Sequence, residues 1–369
     1  MNVAIFCPNW VGDAAMATPA LTALRRHFDD ARLIGVLRPY VAGALEGGDW
    51  FDELLPFSPS AFRGVAQITL ALRRRGIDLA LLFTNSFRSA LTAYLGGCRE
   101  IVGFARDSRS RLLTRGVEPK RDERGAFKPS PIIDAYNELA VAAGASDPGH
   151  TMRLFTTDAD EAERERVWRQ FALDRADRVV LINPGAAYGD AKLWPGEYFS
   201  RLAQRLVDEL DAQVLVLCGP AERALARRIV QGAQRQSVSS LANEPVSLGL
   251  LKACVKAADL LITTDSGPRH FAAAFAKPVI TLFGPTHVAW TETYHPLAWH
   301  LQRKVPCGPC QQRTCPEGHH QCMKDLGPDE VFRAAFELMA RSDLGGSPGR
   351  RPLPLWGRWT DWREERKGA

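Results

Sequence analysis

Alternating strand and helix signals along 369 residues predict an α/β protein with two parallel sheets, one in each half of the chain. Short β-branched or aliphatic runs alternate with helix-length amphipathic stretches, the rhythm of strands joined by crossover helices. The strand runs are near-continuously apolar, as expected when helices cover both faces of a sheet. Length implies the division in two, because one packed core seldom grows past about 250–300 residues.

In chain order, Val3–Cys7 reads as the first strand and Ala15–His27 as the helix after it. Further strands are expected at Arg32–Leu37, Leu79–Phe83 and Ile101–Gly103. A charged helix follows at Asp158–Phe171, with Thr157 placed to cap it. The polar stretch Asp174–Arg178 marks the boundary between a Rossmann-like domain at 1–174 and a second at 175–341. Strands of the second half are expected at Val179–Asn183, Gln213–Cys218, Leu260–Thr263 and Val279–Leu282. Its helices are expected at Gly196–Asp208, Glu222–Gln231, Leu248–Ala257 and Arg269–Phe275, and a last one at Asp329–Arg341 follows Pro328. The tail 342–369 is basic and carries Trp356, Trp359 and Trp362. It reads either as a loosely docked segment or as a Trp/Arg patch suited to a membrane interface.

Composition excludes several classes. With 46% hydrophobic and 24% charged residues, the chain is not disordered as a whole. No apolar run reaches the roughly 18–20 residues of a membrane span. The start, Met1 to Pro8, lacks the basic region of a signal peptide, so a cytoplasmic location is expected. A net charge of +5 with no nucleic-acid motif argues against DNA or RNA and suits an anionic surface or substrate, or ordinary solubility.

Ligands of open α/β sheets bind at the carboxyl ends of the strands, so the loops there carry the functional reading. After the first strand comes Asn9-Trp10-Val11-Gly12-Asp13, where Gly12 permits a tight turn. Asp13 is either a helix cap or a general base facing an interdomain cleft. The run Pro184-Gly185-Ala186-Ala187-Tyr188-Gly189-Asp190-Ala191-Lys192-Leu193-Trp194-Pro195 is a small-residue loop ending in a lysine before a helix. Small residues let backbone N–H groups approach an anion, and a lysine adds charge, which fits a diphosphate. It is neither a Walker loop nor G-x-G-x-x-G. Glu222 opens a helix after Cys218 and is placed either to accept from a ribose or to favour the helix dipole. Asp265-Ser266-Gly267 ends another strand, with His270 one turn along the helix, a phosphate-binding arrangement. Phe283-Gly284-Pro285-Thr286 forms a further loop on the same edge.

Trp10-Val11-Gly12-Asp13, the Pro184-Gly185 to Lys192-x-Trp194-Pro195 run, Asp265-Ser266-Gly267-x-x-His270 and Phe283-Gly284-Pro285-Thr286 together resemble glycosyltransferase family 9, in its heptosyltransferase II branch. Thr84-Asn85-Ser86-Phe87-Arg88-Ser89-Ala90 followed by Gly103-Phe104 is similar to the same branch, and the resemblance covers about 1–340. It implies a GT-B fold, with two Rossmann-like domains facing across a cleft. It implies heptose transfer from ADP-L-glycero-β-D-manno-heptose to an inner-core lipopolysaccharide sugar, inverting and with no required cofactor, at the cytoplasmic face of the inner membrane. By carry-over, Asp13 is the base and Lys192 balances the diphosphate. Gly185, Glu222, Asp265, Ser266, Gly267 and His270 hold the donor. Asn85, Ser86 and Arg88 belong to the acceptor side. So do Arg106 and Arg109, from a basic stretch continuing through Arg111, Arg115, Lys120, Arg121 and Arg124, which reads alternatively as a solvated charge run. Where many relatives carry Leu or Met, this chain has Pro268 and Arg269; the proline removes a backbone donor that the arginine is expected to replace. The same fold with another nucleotide sugar, a non-catalytic nucleotide-sugar-binding protein and a sugar epimerase are the competing readings.

Cys307-x₂-Cys310-x₄-Cys315-x₆-Cys322 places four thiols in one loop with His319 and His320. A structural zinc held by four thiolates is one expectation. Disulfides or free thiols are a second, and an iron–sulfur or redox role a third.

Overall fold

The computed structural model describes residues 1–57, 62–106, 108–123 and 125–343. The expected tail and Arg124 lie outside them. The first sheet contains β1 (Asn2–Phe6), β2 (Arg32–Leu37), β3 (Glu53–Pro56), β4 (Leu79–Leu82), β5 (Glu100–Phe104) and β6 (Arg115–Val117). The second contains β7 (Val179–Asn183), β8 (Gln213–Val216), β9 (Val238–Ser240), β10 (Leu260–Thr264), β11 (Val279–Phe283) and β12 (Ala298–Gln302). The orders are β3-β2-β1-β4-β5-β6 and β12-β11-β10-β7-β8-β9, which is one winding used twice. All neighbouring strands are parallel, as in Asn2↔Arg32 through Phe6↔Val36 and Leu260↔Val180 through Thr263↔Asn183. The winding reverses between β1 and β4, and again between β7 and β10. Loops diverge at such switch points and leave a crevice.

Period-two alternation explains the layers. Val3 and Ile5 of β1 enter a large apolar cluster that runs on into the second half, while Ala4 and Phe6 enter a smaller cluster on the other face with Leu72 and Leu82. Thr157 caps Asp158–Gln170 through a reciprocal pair with Asp160, as the sequence predicts. This helix was expected in the first domain, but it packs on Leu248–Ala257 of the second half. Glu161 pairs with Lys256 at 2.7 Å, and Gln170 donates to Glu244 at 2.7 Å.

The helix after β1 is two helices, Val11–Met16 and Thr18–His27, rather than one at Ala15–His27. Pro19 has no N–H for a continuous ladder, and Thr18 Oγ1 donates instead to the Ala15 carbonyl at 2.7 Å. Gly12 therefore lies inside a helix, not in a turn. Its role is cross-domain contact: a Cβ there would sit 2.7 Å from His270 Cδ2. The halves also touch where the Lys252 ammonium, itself buried, donates to the Glu46 carbonyl at 2.9 Å.

Candidate active site

Loops from the carboxyl ends of both sheets enclose one cleft of about 880 Å³. From the first half it is lined by Asp13 after β1, Asn85 after β4 and Arg106 after β5. From the second half it is lined by Lys192 after β7, by Asp265, Ser266, Gly267 and His270 after β10, and by Thr286 after β11.

Asp13 occupies the first turn of Val11–Met16 and is half-buried. Burial pushes its carboxyl up to about 6; the Asp265 charge adds to the rise and Lys192 opposes it. A carboxylate tuned toward neutrality can take a proton from a weakly acidic hydroxyl and release it later.

Lys192 is 7% exposed. Its ammonium donates to Asp265 Oδ2 at 2.5 Å and to the Asp265 carbonyl at 3.2 Å. Thr286 Oγ1 donates to the same carboxylate oxygen at 2.7 Å. Burial raises the Asp265 pKa, but Lys192, Arg269 and these hydrogen bonds outweigh it and hold the carboxyl below its usual range. The Lys-x-Trp-Pro spacing has a local cause. Trp194 is buried and donates to the Leu326 carbonyl at 2.8 Å, while Pro195 opens Gly196–Leu210, which fixes the loop that carries Lys192.

Asn183 Nδ2 donates to Thr263 Oγ1 at 3.0 Å and to Ser266 Oγ at 2.9 Å, orienting the serine hydroxyl. His270 is 3% exposed. Burial, followed by the neighbouring Arg269, drives its pKa well below the usual value, so it is a neutral imidazole. Its Nδ1 has no hydrogen-bond partner among the described residues. Pro268 is the first residue of its helix, where an N–H has no intrahelical partner in any case. Arg269 is not a phosphate ligand. Its side chain is turned into the core, donating to Thr281 Oγ1 at 3.1 Å and the Thr291 carbonyl at 2.6 Å.

Other expected residues stand apart from the cleft. Gly185, Glu222, Ser86 and Arg88 are not among the described residues that line it. Glu222 turns back to accept from the Gly219 N–H at 2.6 Å and packs on Gly185, where a Cβ would meet its Oε1 at 2.2 Å. Ser86 caps Phe87–Leu95. Arg109, expected at an acceptor rim, is fully buried. It donates to the Phe104 carbonyl at 2.9 Å, the Thr84 carbonyl at 2.5 Å and Asn85 Oδ1 at 3.1 Å, clamping the loops after β4 and β5. Arg109→Ala strands these carbonyls and should lower unfolding free energy by about 2–4 kcal/mol in urea titration. Unchanged stability with a raised acceptor KM would contradict that structural role.

Arg106 does reach the cleft, with its guanidinium 4.0 Å from the Phe127 ring centroid. Sequence reasoning missed Tyr40, Phe127, Lys128, Trp290 and Gln311 as lining residues. Tyr40 lies in the helix Pro39–Leu45 and Trp290 in the short helical turn Val288–Thr291, and none of the five is a defining position of a motif. The four clustered cysteines are free thiols, with Cys307 exposed. Among the described residues, no group of three or more His, Cys, Asp or Glu side chains is arranged to hold a metal ion, so the expected zinc or iron–sulfur set at Cys307, Cys310, Cys315 and Cys322 is not formed. Cys307 Sγ lies 3.9 Å from His319 Nε2.

Two Rossmann-like sheets with their carboxyl ends turned to one cleft give the chain a GT-B fold. The model of glycosyltransferase family 9 (heptosyltransferase) matches residues 65–321, and the chain belongs to that family. Lipooligosaccharide heptosyltransferase 2 of Campylobacter jejuni is 28% identical over 347 residues, covering 93% of this chain and 100% of the relative. Among solved structures, Escherichia coli ADP-heptose LPS heptosyltransferase II superposes with a TM-score of 0.75 at 23% identity, covering 93% of this chain and 100% of that one. An E. coli heptosyltransferase with ADP gives a TM-score of 0.67 at 19% identity, covering 92% and 100%.

Proposed function

We propose that the protein moves heptose from ADP-L-glycero-β-D-manno-heptose to an inner-core lipopolysaccharide acceptor, inverting the anomeric centre, with no cofactor. The observation that carries this reading is the placement of Asp13 and Lys192 on facing sides of one cleft, each from a different domain. An acceptor hydroxyl beside Asp13 gives its proton to the carboxylate as its oxygen attacks the anomeric carbon. The bond from that carbon to the diphosphate oxygen breaks, and ADP leaves carrying the new charge. Lys192 balances that charge from a site where its own position is fixed by Asp265. Charge stabilisation of this kind is usually the largest catalytic contribution. Ser266 and Gly267, with neutral His270, hold the donor from the same loop.

On the first-half wall Lys120 is paired with Glu138, and Arg106 and Lys128 are the cations assigned to carboxylates and phosphates of an inner-core acceptor. Such an acceptor sits in a bilayer, so the enzyme works from the cytoplasm at the membrane surface. Among the described residues, no helix is long and apolar enough to cross a membrane. Arg106→Ala should raise acceptor KM about three- to tenfold, the worth of a charge-assisted contact, and leave donor KM unchanged. Steady-state kinetics with each substrate varied checks this.

Incubation with ADP-heptose and a heptosyl-Kdo₂-lipid A acceptor, followed by NMR of the product, tests the reaction. One added heptose in α linkage is expected. A β linkage would refute inversion, and intact ADP binding with no transfer would point to another donor sugar or acceptor.

A further inference from the structure

We propose that the cysteine-rich segment forms the outer wall of the donor site and that Tyr188 and Gln311 act as positioning residues for Lys192, an inference that rests on the assignment of Lys192 to the departing diphosphate. The segment between Cys310 and Cys315 lies directly on the loop after β7. The Ala191 N–H donates to the Arg313 carbonyl at 3.0 Å, one residue before Lys192. Tyr188 Oη donates to the Gln311 carbonyl at 2.7 Å. The Gln311 N–H donates in turn to the Pro285 carbonyl at 2.8 Å, in the loop that carries Thr286.

The Tyr188 ring joins these contacts to the reacting charge. The Lys192 ammonium lies 4.5 Å from its centroid, and the Arg313 guanidinium lies 5.2 Å from the same ring. Lys192 is therefore held from two sides, by Asp265 beneath and by an aromatic face that is itself tied to the cysteine-rich segment. Cations are attracted to such faces, most strongly where water is excluded.

Backbone geometry shows that the contact is close and specific. Gln311 has φ +58, the left-handed region that a residue with a Cβ seldom adopts, and both of its backbone polar groups are engaged in these bonds. Gln311 also lines the cleft. At Gly189 a Cβ would stand 2.2 Å from the Arg313 carbonyl oxygen, a backbone atom that can yield only if the wall moves as a unit. Glycine at this position lets the two loops close on each other. The small-residue composition of the loop after β7 thus serves the wall as well as the anion.

The test compares Gly189→Ala, Tyr188→Phe and Tyr188→Leu with wild type in the full chain. Three quantities are read: ADP affinity by calorimetry, kcat for ADP release from ADP-heptose, and melting temperature. Gly189→Ala should weaken ADP binding and lower kcat by about tenfold or more, since displacement of a catalytic group by about an ångström is enough for such losses. Tyr188→Phe keeps the ring and loses the Gln311 tie, so its loss should be about threefold; Tyr188→Leu loses the ring as well and should fall further. Melting temperature and acceptor KM should stay near wild type in both Tyr188 variants. If Gly189→Ala fails to fold, the Tyr188 pair decides. ADP affinity and kcat within twofold of wild type in folded Gly189→Ala and Tyr188→Leu would overturn the proposal, as would losses that only track melting temperature. A wild type that binds ADP without turning over ADP-heptose would instead overturn the donor assignment, and the ADP affinities of the variants would still test the wall.

Discussion

Replacing Asp13 with Asn is expected to lower kcat by about a hundredfold or more while making the protein harder to melt. The first effect follows from removing the only proposed proton acceptor for the sugar hydroxyl, since general-base help typically contributes about 10²–10⁴ in rate. The second follows from the sign of the pKa shift. The Asp13 carboxyl titrates at about 6 in the folded protein, above its ordinary 3.8. The folded state then binds this proton more tightly than the unfolded chain. Asp13 therefore favours folding at low pH, and this contribution is lost as pH rises from 3.8 through about 6. At neutral pH the charged form is held at a cost of about 3 kcal/mol, which asparagine avoids. Thermal melts should show Asp13→Asn a few degrees above wild type at pH 8, with the gap closing near pH 4. In the wild type, kcat/KM should fall as pH drops below about 6, because protonated Asp13 cannot accept. A flat profile through that range, or an asparagine variant no more stable than wild type, would contradict the assignment.

Lys192→Met should be damaging in both activity and stability. It removes the cation facing the departing diphosphate, a loss on the scale of about 10²–10³ in kcat for a preorganised charge-stabilising group. It also strands Asp265, which is 5% exposed and has Lys192 as its nearest cation. Breaking a buried ion pair from one side typically costs about 3–5 kcal/mol. Arg269, 3.9 Å from the other carboxylate oxygen, and Thr286 compensate part of this, so the lower end is expected. The variant carries an internal check, because Lys192 opposes the rise of the Asp13 pKa. Without it, the acid limb of kcat/KM should move to higher pH. Kinetics measured well below the melting temperature separate the two losses. A variant with lowered stability but wild-type kcat would remove Lys192 from the chemistry.

The interior of both sheets is legible in the sequence, and their rims are not. The eight inner strands are apolar runs, and all were expected. The four edges, β3 (ELLP), β6 (RGV), β9 (VSS) and β12 (AWHLQ), were not. An edge strand is covered on fewer sides, so its residues need not be apolar, and its identity comes from pairing with a distant neighbour. The same division holds at the site. Asp13, Lys192, Asp265, Ser266 and His270 lie at strand ends of the switch points, where local sequence fixes their placement. The errors concern side chains whose direction depends on tertiary packing. Arg109 and Arg269 look like surface cations in the sequence, yet each is buried with backbone carbonyls as partners. Gly12 looks like a turn glycine, and its actual constraint is His270 from the other domain. Cysteine spacing suggested a metal, whereas the backbone between Cys310 and Cys315 bonds to the loops after β7 and β11, a contact that no spacing of residues announces.

The role of Asp13 as a base on the acceptor hydroxyl is tested most directly by ADP release from ADP-heptose, measured with wild-type protein in the presence and absence of the inner-core acceptor. Release that requires the acceptor is the expected result, since a base in this position activates the acceptor and leaves the donor intact without it. Equally fast release without acceptor would contradict the account, because Asp13 would then be attacking the sugar itself or activating water.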